Sequence, residues 1–260
     1  MKKKKNARLF LITGSLILLM GVSKFSEAQK SNMPVKNIVI VHGAFADASG
    51  FADVFKILKK DGYNVTLVQN PCTSMQDDLD ATNRILDRQD GPVVLVGHSW
   101  GGSVITQAGG HDKVVKLVYI AAIIPAVGET TAQLASSVPR LPENGLLPPD
   151  DKGFIYYSKE KFHAGFVPEQ TQAVSDFMFA SQVPIALKAF TEVITVAAWT
   201  TKPSYTIIPT EDQNINPILE RSNAKRAGSI VTEIKSSHTV YLSHPKEVAA
   251  VIETAANAAP

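Results

Sequence analysis

The sequence predicts an α/β protein with a mostly parallel sheet of about six strands, helices on both faces and a helical cap insertion. The first observation is that short, continuous apolar runs alternate with longer segments whose apolar residues recur at helical spacing. Such runs are typical of strands buried on both faces, and their alternation with helices is typical of a parallel sheet. The second observation is composition: 260 residues, 45% hydrophobic and 19% charged, suffice for one globular domain.

The predicted elements follow one another in a regular order along the chain. Glycine or proline ends several of the predicted helices, and Ser74 is a predicted N-cap. The predicted strands are 37–41, 64–69, 92–96, 114–120, 204–208 and 230–234. The predicted helices are 49–60, 75–89, 102–108, 217–227 and 245–256.

The regular order is lost at about 125–201. This stretch is rich in proline, and its apolar runs at 170–180 and 184–199 look helical. We therefore expect an insertion here, a cap that lies over the sheet.

The first 28 residues have the pattern of a secretory signal peptide. Lysines at positions 2–5 and Arg8 form a basic head, an apolar run follows at 9–22, and Ser26-Glu27-Ala28 suits cleavage after Ala28. The apolar run is short for a membrane span of about 20 residues, although an uncleaved anchor is the alternative. We therefore expect a signal peptide at 1–28, a domain at 29–260, no stable membrane anchor after cleavage, and export to the periplasm or the medium.

The charges argue against a nucleic-acid partner. The formal net charge is +2, but residues 1–28 hold six of the 26 Lys and Arg residues and one of the 24 acidic residues. The remainder carries a net charge of −3 and has no basic stripe interleaved with aromatic residues. Cys72 is the only cysteine, which excludes an intramolecular disulfide and a cysteine-based metal site.

The motif that carries chemistry is Gly97-His98-Ser99-Trp100-Gly101, between a predicted strand and a predicted helix. In the pattern G-x-S-x-G the serine lies in a strained turn, and the glycines let strand and helix approach each other. The free N–H groups of the helix N-terminus can hold an anion beside the serine. The motif in this context predicts that Ser99 is a nucleophile.

A serine nucleophile needs a general base, and the base needs an orienting acid. In enzymes whose serine lies in this strand–turn–helix motif, the nucleophile elbow, the chain order is serine, acid, histidine. Of six histidines, His238 follows the last predicted strand, on a loop at the active edge of the sheet, and it is the predicted base; a surface histidine is the alternative. Glu211 and Asp212 follow the strand at 204–208 and are both candidate acids, and Glu129 is a more distant one.

The predicted oxyanion hole consists of main-chain N–H groups. One is that of Trp100, directly after the nucleophile, and the other is that of Ala44, in the loop after the first strand. The substrate pocket is predicted to be apolar, although each cap aromatic could instead be a core residue. Its predicted aromatic walls are Phe45, Trp100, Phe154, Phe177 and Trp199.

Four segments together resemble a known superfamily. They are His42-Gly43-Ala44 with Asp47-Ala48-Ser49, the elbow motif, Thr210-Glu211-Asp212 followed by Ile215, and Ser237-His238 with Leu242-Ser243-His244-Pro245. Over residues 37–256 the chain resembles the α/β-hydrolase superfamily, and within it the plant methylesterase / hydroxynitrile lyase-like group and related bacterial serine esterases. The resemblance implies the α/β-hydrolase fold, and it implies that Asp212 is the acid of the triad.

Two positions depart from the hydroxynitrile lyases of this group. Those lyases carry a lysine directly after the catalytic histidine, where this chain has Thr239, and a histidine in the loop after the first strand, where this chain has Ala46. Both departures disfavour cyanohydrin cleavage. Dehalogenase and epoxide-hydrolase relatives carry aspartate at the elbow, and Ser99 disfavours both.

The predicted function is therefore hydrolysis of carboxylic esters of small or aryl apolar substrates. Ser99, His238 and Asp212 would act through an acyl-enzyme, with no metal and no organic cofactor. The predicted partner is a small-molecule ester. A lyase or cofactor-free oxygenase, or a slow-turnover ligand receptor, on the same scaffold is the alternative.

Overall fold

The fold is built on eight β-strands in the computed structural model, which describes residues 34–259. In chain order they are β1 (Asn37–Val41), β2 (Asn64–Val68), β3 (Val93–His98), β4 (Val114–Ile120), β5 (Phe154–Ile155), β6 (Ile185–Ala186), β7 (Ser204–Pro209) and β8 (Ile230–Ile234). Six of them form a parallel sheet in the order β2-β1-β3-β4-β7-β8. The strands β5 and β6 form a separate antiparallel pair within the predicted cap.

The helices follow the strands in the order that the sequence predicts. They are α1 (Ala52–Lys60), α2 (Met75–Asp87), α3 (Trp100–Ala108), α4 (Thr131–Ala135), α5 (Lys159–Lys161), α6 (Gln172–Ala180), α7 (Leu187–Thr191), α8 (Pro217–Arg226), α9 (Val240–Ser243) and α10 (Pro245–Asn257). Helices α1 and α10 pack together, and so do α2 and α3, so that helices cover the sheet. Short 3-10 helices span Ala48–Phe51 and Ala198–Thr200, and a π-helix spans Phe162–Phe166.

The central strands are buried along their whole length. Every residue of β1 and β3 is buried, and Val39 and Leu95 have no exposed surface. Full burial of one such side chain stabilises a fold by about 1.5–3 kcal/mol. The loop that follows β3 therefore starts from a rigid platform.

The strands and most helices agree with the sequence prediction, but helix over 184–199 is only partly formed. The segment contains β6, α7 and the start of a 3-10 helix, with extended chain between them. Glu192 ends α7 in an extended conformation, and the β-branched run 193–196 follows. Four β-branched side chains in succession disfavour a helix because each is restricted at χ1.

Residues Val35–Asn257 form one compact unit, which contains the sheet and the cap. The predicted signal peptide, at 1–28, lies outside the described residues. Across 34–259, no helix is both long enough and apolar enough to cross a membrane.

Candidate active site

Ser99 lies at the junction between β3 and α3 with φ 53° and ψ −118°. This left-handed conformation is strained for a residue with a side chain. A Cβ on Gly97 would lie 2.4 Å from the carbonyl oxygen of Gly101, and a Cβ on Gly101 would lie 2.5 Å from that of Val41. Both glycines are therefore required by the close approach of the backbone. The Ser99 N–H donates to the carbonyl oxygen of Ile120 at 3.0 Å and ties the turn to β4.

His238 and Asp212 form a buried pair at the carboxyl edge of the sheet. His238 Nδ1–H donates to Asp212 Oδ2 at 2.6 Å, and both residues are 1% exposed. Asp212 Oδ1 accepts from the main-chain N–H groups of Asn214 and Ile215 at 2.6 and 3.0 Å. Because the proton lies on Nδ1, the imidazole Nε2 of His238 is the ring atom that can accept a proton.

Ser99 and His238 line the same cavity of about 80 Å³. No hydrogen bond joins their side chains in the part of the chain that the structure describes. Catalytic hydrogen bonds are often long without substrate and tighten when it binds. The arrangement therefore brings the predicted nucleophile and the predicted base to one small space.

The structure separates the three candidate acids. Asp212 alone contacts His238; Glu211 is exposed and lies 3.7 Å from the Lys235 ammonium. Glu129 accepts two hydrogen bonds from Arg226, at 2.6 and 2.9 Å. The position of Asp212 follows from the tight turn after β7, which both of its main-chain bonds stabilise.

The two predicted oxyanion donors also line this cavity. Ala44 and Trp100 are both among its walls, and the N–H groups of these two residues make no hydrogen bond within the described chain. Trp100 is the first residue of α3, where main-chain N–H groups have no partner inside the helix. A Cβ on Gly43 would lie 2.8 Å from the Ser99 Cβ, so only glycine lets the Ala44 loop come this close.

A carboxylate that the sequence analysis missed anchors the Trp100 side chain. Trp100 Nε1–H donates to Asp78 Oδ2 at 2.6 Å, and the Cys72 N–H donates to Asp78 Oδ1 at 2.8 Å. Burial raises the pKa of Asp78 to about 6, against the hydrogen bonds from Trp100 and Cys72, which lower it. Asp78 therefore fixes the side chain of a residue that lines the cavity.

Two other buried histidines have structural contacts. His98 Nε2–H donates to the carbonyl oxygen of His238 at 3.1 Å, and its ring packs edge-on against Tyr241. Burial, and then the neighbouring His238, lower the pKa of His98 well below its usual range. His42 donates from Nδ1 to the Gly43 carbonyl oxygen at 2.7 Å, and burial lowers the pKa of His42. The lowered pKa values favour neutral rings, and both rings pack and donate hydrogen bonds beside the site.

The loop before His238 is fastened to the cap by Glu169. The Glu169 carboxylate accepts from the Ser237 N–H at 2.6 Å, from Ser236 Oγ at 3.2 Å and from Ser237 Oγ. On the other side of His238, Thr239 Oγ1 donates to the Phe166 carbonyl oxygen at 3.1 Å. The sequence analysis missed Glu169, which is remote in the chain and has no motif.

The π-helix of the cap contacts the acid loop as well. Asn214 Nδ2 donates to the Gly165 carbonyl oxygen at 2.5 Å, and the Phe166 ring lies 5.4 Å from the His238 ring. A Cβ on Gly165 would lie 2.1 Å from the Glu143 carbonyl oxygen. Single π-turns are frequent at functional sites, and this one contacts both loops that carry the buried pair.

The predicted aromatic walls are divided by the structure. Phe45 and Trp100 line the cavity, and so does Phe190, which was missed. The other three are not among the walls of this cavity: Phe154 is paired in the small sheet, and Phe177 on α6 is 69% exposed. Trp199 Nε1–H donates to the Pro125 carbonyl oxygen at 2.8 Å.

A second cavity of about 320 Å³ adjoins the first. The two share five wall residues: Ile123, Ala135, Leu146, Asn214 and Ile215. In the described residues no cluster of histidine, cysteine and acidic side chains could hold a metal ion.

Comparison with known proteins identifies the family to which the chain belongs. The sequence profile of the Alpha/beta hydrolase family matches residues 38–251. An alpha/beta hydrolase of Aspergillus novofumigatus, nvfD, is 26% identical over 85% of this chain and 97% of its own length. The pyrethroid hydrolase of Sphingobium wenxiniae is 30% identical over 46% of this chain and 49% of its own length.

Solved structures share the fold over most of the chain. A pyrethroid hydrolase superposes with a TM-score of 0.76 at 22% identity, covering 86% of this chain and 98% of the other. Polyneuridine aldehyde esterase superposes with a TM-score of 0.71 at 17% identity, covering 84% and 98%. Together with the profile match, these similarities show that the chain belongs to the Alpha/beta hydrolase family.

Proposed function

We propose that this protein is a serine hydrolase that cleaves carboxylic esters through an acyl-enzyme. The observation that carries the proposal is the buried 2.6 Å hydrogen bond from His238 to Asp212. The His238 side chain lines the same cavity as Ser99, which has a strained backbone conformation. A nucleophile, a base and an orienting acid in this arrangement are the parts that acyl transfer needs. The similarity to a pyrethroid hydrolase and to an esterase is consistent with an ester substrate.

The proposed proton transfers use the Nε2 atom of His238, whose Nδ1–H is bound to Asp212. Ser99 Oγ attacks the ester carbonyl carbon, and His238 Nε2 takes the hydroxyl proton. Asp212 holds the Nδ1 proton in place and stabilises the imidazolium that forms. His238 then gives its proton to the leaving alcohol, and water cleaves the acyl-enzyme with the same base.

The free N–H groups of Ala44 and Trp100 would hold the oxyanion of the tetrahedral intermediate. Both are main-chain donors with fixed positions, one at a helix N-terminus and the other in a loop that Gly43 brings close. Preorganised donors of this kind need no reorganisation during the reaction, and removing one costs about 100- to 1,000-fold in rate.

The cavities support a small or aryl apolar ester. The volume of about 80 Å³ beside Ser99 accepts a small group, and the adjoining volume of about 320 Å³ accepts a larger one. Several polar walls are already satisfied: Asn144 Nδ2 donates to the Asn214 carbonyl oxygen, and Asn216 Nδ2 donates to that of Pro139. Arg140 also lines the larger cavity and donates to the Leu146 carbonyl oxygen at 3.4 Å. The mainly apolar surface is that of the smaller cavity, beside Ser99.

Nothing at this site favours the lyase alternative. Thr239 stands where the related lyases carry a lysine, and it is fully buried with its hydroxyl donated to the Phe166 carbonyl oxygen. The residue directly after His238 therefore supplies no positive charge to the cavity.

Hydrolysis of p-nitrophenyl acetate and butyrate by the wild type, Ser99→Ala and Ser181→Ala tests the proposal. Ser181 lies on the exposed surface of the cap and is the matched control. We expect Ser99→Ala to lower kcat at least about 1,000-fold with an unchanged circular dichroism spectrum, and Ser181→Ala to resemble the wild type. Phenylmethylsulfonyl fluoride should add one sulfonyl group to the wild type and none to Ser99→Ala. Equal turnover by both variants would contradict the proposal.

We also propose that the protein is exported and cleaved after Ala28, on the basis of the N-terminal sequence pattern alone. Expression of the full chain in a bacterial host should yield a periplasmic or secreted product whose N-terminal residue is Gln29. Full-length protein that stays in the cytoplasm would contradict this.

A further inference from the structure

Glu220 is a buried acid that the proposed mechanism does not use. It lies in α8, the helix that follows the Asp212 turn, and it has no exposed surface. Neither of its carboxyl oxygens has a hydrogen-bond donor among the residues that the structure describes. A carboxyl group in this position requires a physical explanation.

An ionised Glu220 would be an unpaired charge in the interior, which is among the costliest arrangements in a folded protein. Burial, and then the charge of the neighbouring Asp212 carboxylate, raise the pKa of Glu220 well above its usual range. Both effects favour the protonated form of the Glu220 carboxyl group. A protonated carboxyl group is a donor, and it can bond to a carboxylate that an ionised one would repel.

Asp212 has room for that donor. A carboxylate offers about four lone-pair sites. The N–H groups of Asn214, Ile215 and His238 occupy three of them. One site remains for a hydroxyl donor from α8.

Two other charged groups lie near Glu220, and they do not compete with Asp212 as its partner. Arg221, on the same helix, lowers the pKa of Glu220, and Glu233, on β8, raises it. These two bind each other at 2.7 and 2.9 Å, so their effects on a third group largely cancel. Asp212 is the acid whose charge acts on Glu220 without such compensation.

We propose that Glu220 is a positioning acid for the triad: its carboxyl group stays protonated, and its O–H donates a hydrogen bond to the Asp212 carboxylate. The Glu220–Asp212 pair then carries one negative charge behind His238, and Asp212 receives four donors. This rests on the proposed function of Ser99, His238 and Asp212. The hydrogen bond stabilises ionised Asp212 and tempers its attraction for the His238 proton.

The proton itself is tested by stability rather than by activity. A group whose pKa is higher in the folded state than in the unfolded state stabilises the fold fully below the unfolded pKa, and that stabilisation is lost as pH rises toward the folded pKa. The unfolded value for glutamate is 4.5. The unfolding equilibrium constant of Glu220→Gln, divided by that of the wild type, should therefore fall up to tenfold per pH unit above about pH 4.5.

The experiment compares urea unfolding of the wild type, Glu220→Gln and the control Glu211→Gln between pH 5.5 and 7.5. Glu211 is exposed and is the matched control for the loss of one carboxyl group. A ratio for Glu220→Gln that changes with pH no more than that of Glu211→Gln would mean that Glu220 is ionised in the folded protein and would overturn the proposal. If Glu220→Gln does not fold, carboxyl ¹³C shifts of the wild type decide the same question: an ionised Glu220 signal at pH 6 would refute it.

The positioning role is tested by the pH profile of kcat/KM. Glu220→Leu removes the donor, so Asp212 should attract the His238 proton more strongly, and the acid limb should move upward by roughly 0.5–1 pH unit. Glu220→Gln keeps an N–H donor and should keep the limb near the wild-type position. If the acid limb of the pH profile lies at the same pH in Glu220→Leu and Glu220→Gln, Glu220 is merely structural and the positioning role is refuted. Absence of ester turnover in the wild type would contradict the proposed function, whereas the unfolding result would stand.

Discussion

Replacement of Glu169 by alanine should lower kcat without changing the cavity. Glu169 accepts three hydrogen bonds, all from Ser236 and Ser237, the two residues before His238. It is not among the cavity walls. The variant therefore releases the loop that carries the base and removes no contact with substrate.

The magnitude follows from those bonds. A hydrogen bond to a charged group contributes about 1.5–3 kcal/mol, but Glu169 is exposed and solvent screens its charge. The loop also keeps the hydrogen bond from His98 to the His238 carbonyl oxygen and the one from Thr239 to the Phe166 carbonyl oxygen. We therefore expect a net loss of about 1–2 kcal/mol in positioning, which is about 5- to 30-fold in kcat.

The assay is steady-state hydrolysis of p-nitrophenyl butyrate by the wild type, Glu169→Ala, Glu169→Gln and Glu160→Ala. Glu160 is an exposed acid of the same cap and serves as the matched control. KM should stay within about twofold of the wild type in all three variants, and Glu169→Gln should be intermediate in kcat because its amide oxygen still accepts from Ser237. Equal kcat values for Glu169→Ala and Glu160→Ala would refute the reasoning, as would a change confined to KM.

Three further predictions concern the same site. Asp212→Asn should lower kcat about 10,000-fold because the amide cannot hold the required tautomer of the base, and a smaller loss would favour another acid. Gly43→Ala should lower kcat about 100-fold with the fold retained by circular dichroism, since its Cβ would lie 2.8 Å from that of Ser99; wild-type turnover would contradict the oxyanion assignment. The indole N–H signal of Trp100 should shift with a midpoint near pH 6, where the Asp78 carboxyl that it contacts titrates, and an unshifted signal would argue against that contact. Because the folded pKa of Asp78 exceeds its unfolded value of 3.8, its stabilising effect is greatest below pH 4 and is lost by pH 6.

The sheet could be predicted because a strand buried on both faces is apolar at nearly every position. That constraint makes 38–41 and 117–120 visible as continuous runs without any knowledge of their neighbours. The elbow could be predicted for a similar reason: two glycines are required where backbones approach within van der Waals distance, and both lie within two residues of Ser99. Local rules were sufficient wherever local geometry imposed the residue type.

The sequence predicted where the candidate acid lies but did not single out one residue. Glu211 and Asp212 are adjacent, follow the same strand and have the same chemistry, so the residues alone left both open. The choice depends on the turn after β7, where two main-chain N–H groups point at Asp212. Only the resemblance to a family favoured Asp212 beforehand.

The contacts of the cap could not be predicted from the sequence because they join distant segments. Phe177 and Phe190 are both phenylalanines of the cap, yet Phe177 is exposed to solvent and Phe190 lines the cavity. Glu169 contacts a residue 68 positions away, and no periodicity marks it. Glu220 has the sequence appearance of a solvated helix acid, and only the position of α8 against the Asp212 turn buries it.

These contacts change what the cap is expected to do. The main-chain oxygens of Gly165 and Phe166 and the side chain of Glu169 accept hydrogen bonds from the loops that carry Asp212 and His238. A cap that merely covered the substrate would, when altered, change KM. A cap that holds the acid and the base in register must also change kcat, because a shift of about 1 Å in a reacting group can cost about 100-fold in rate. Within the cap, we therefore expect substitutions at wall residues that do not bond to those loops, such as Leu146 and Phe190, to change substrate preference with the least loss of kcat.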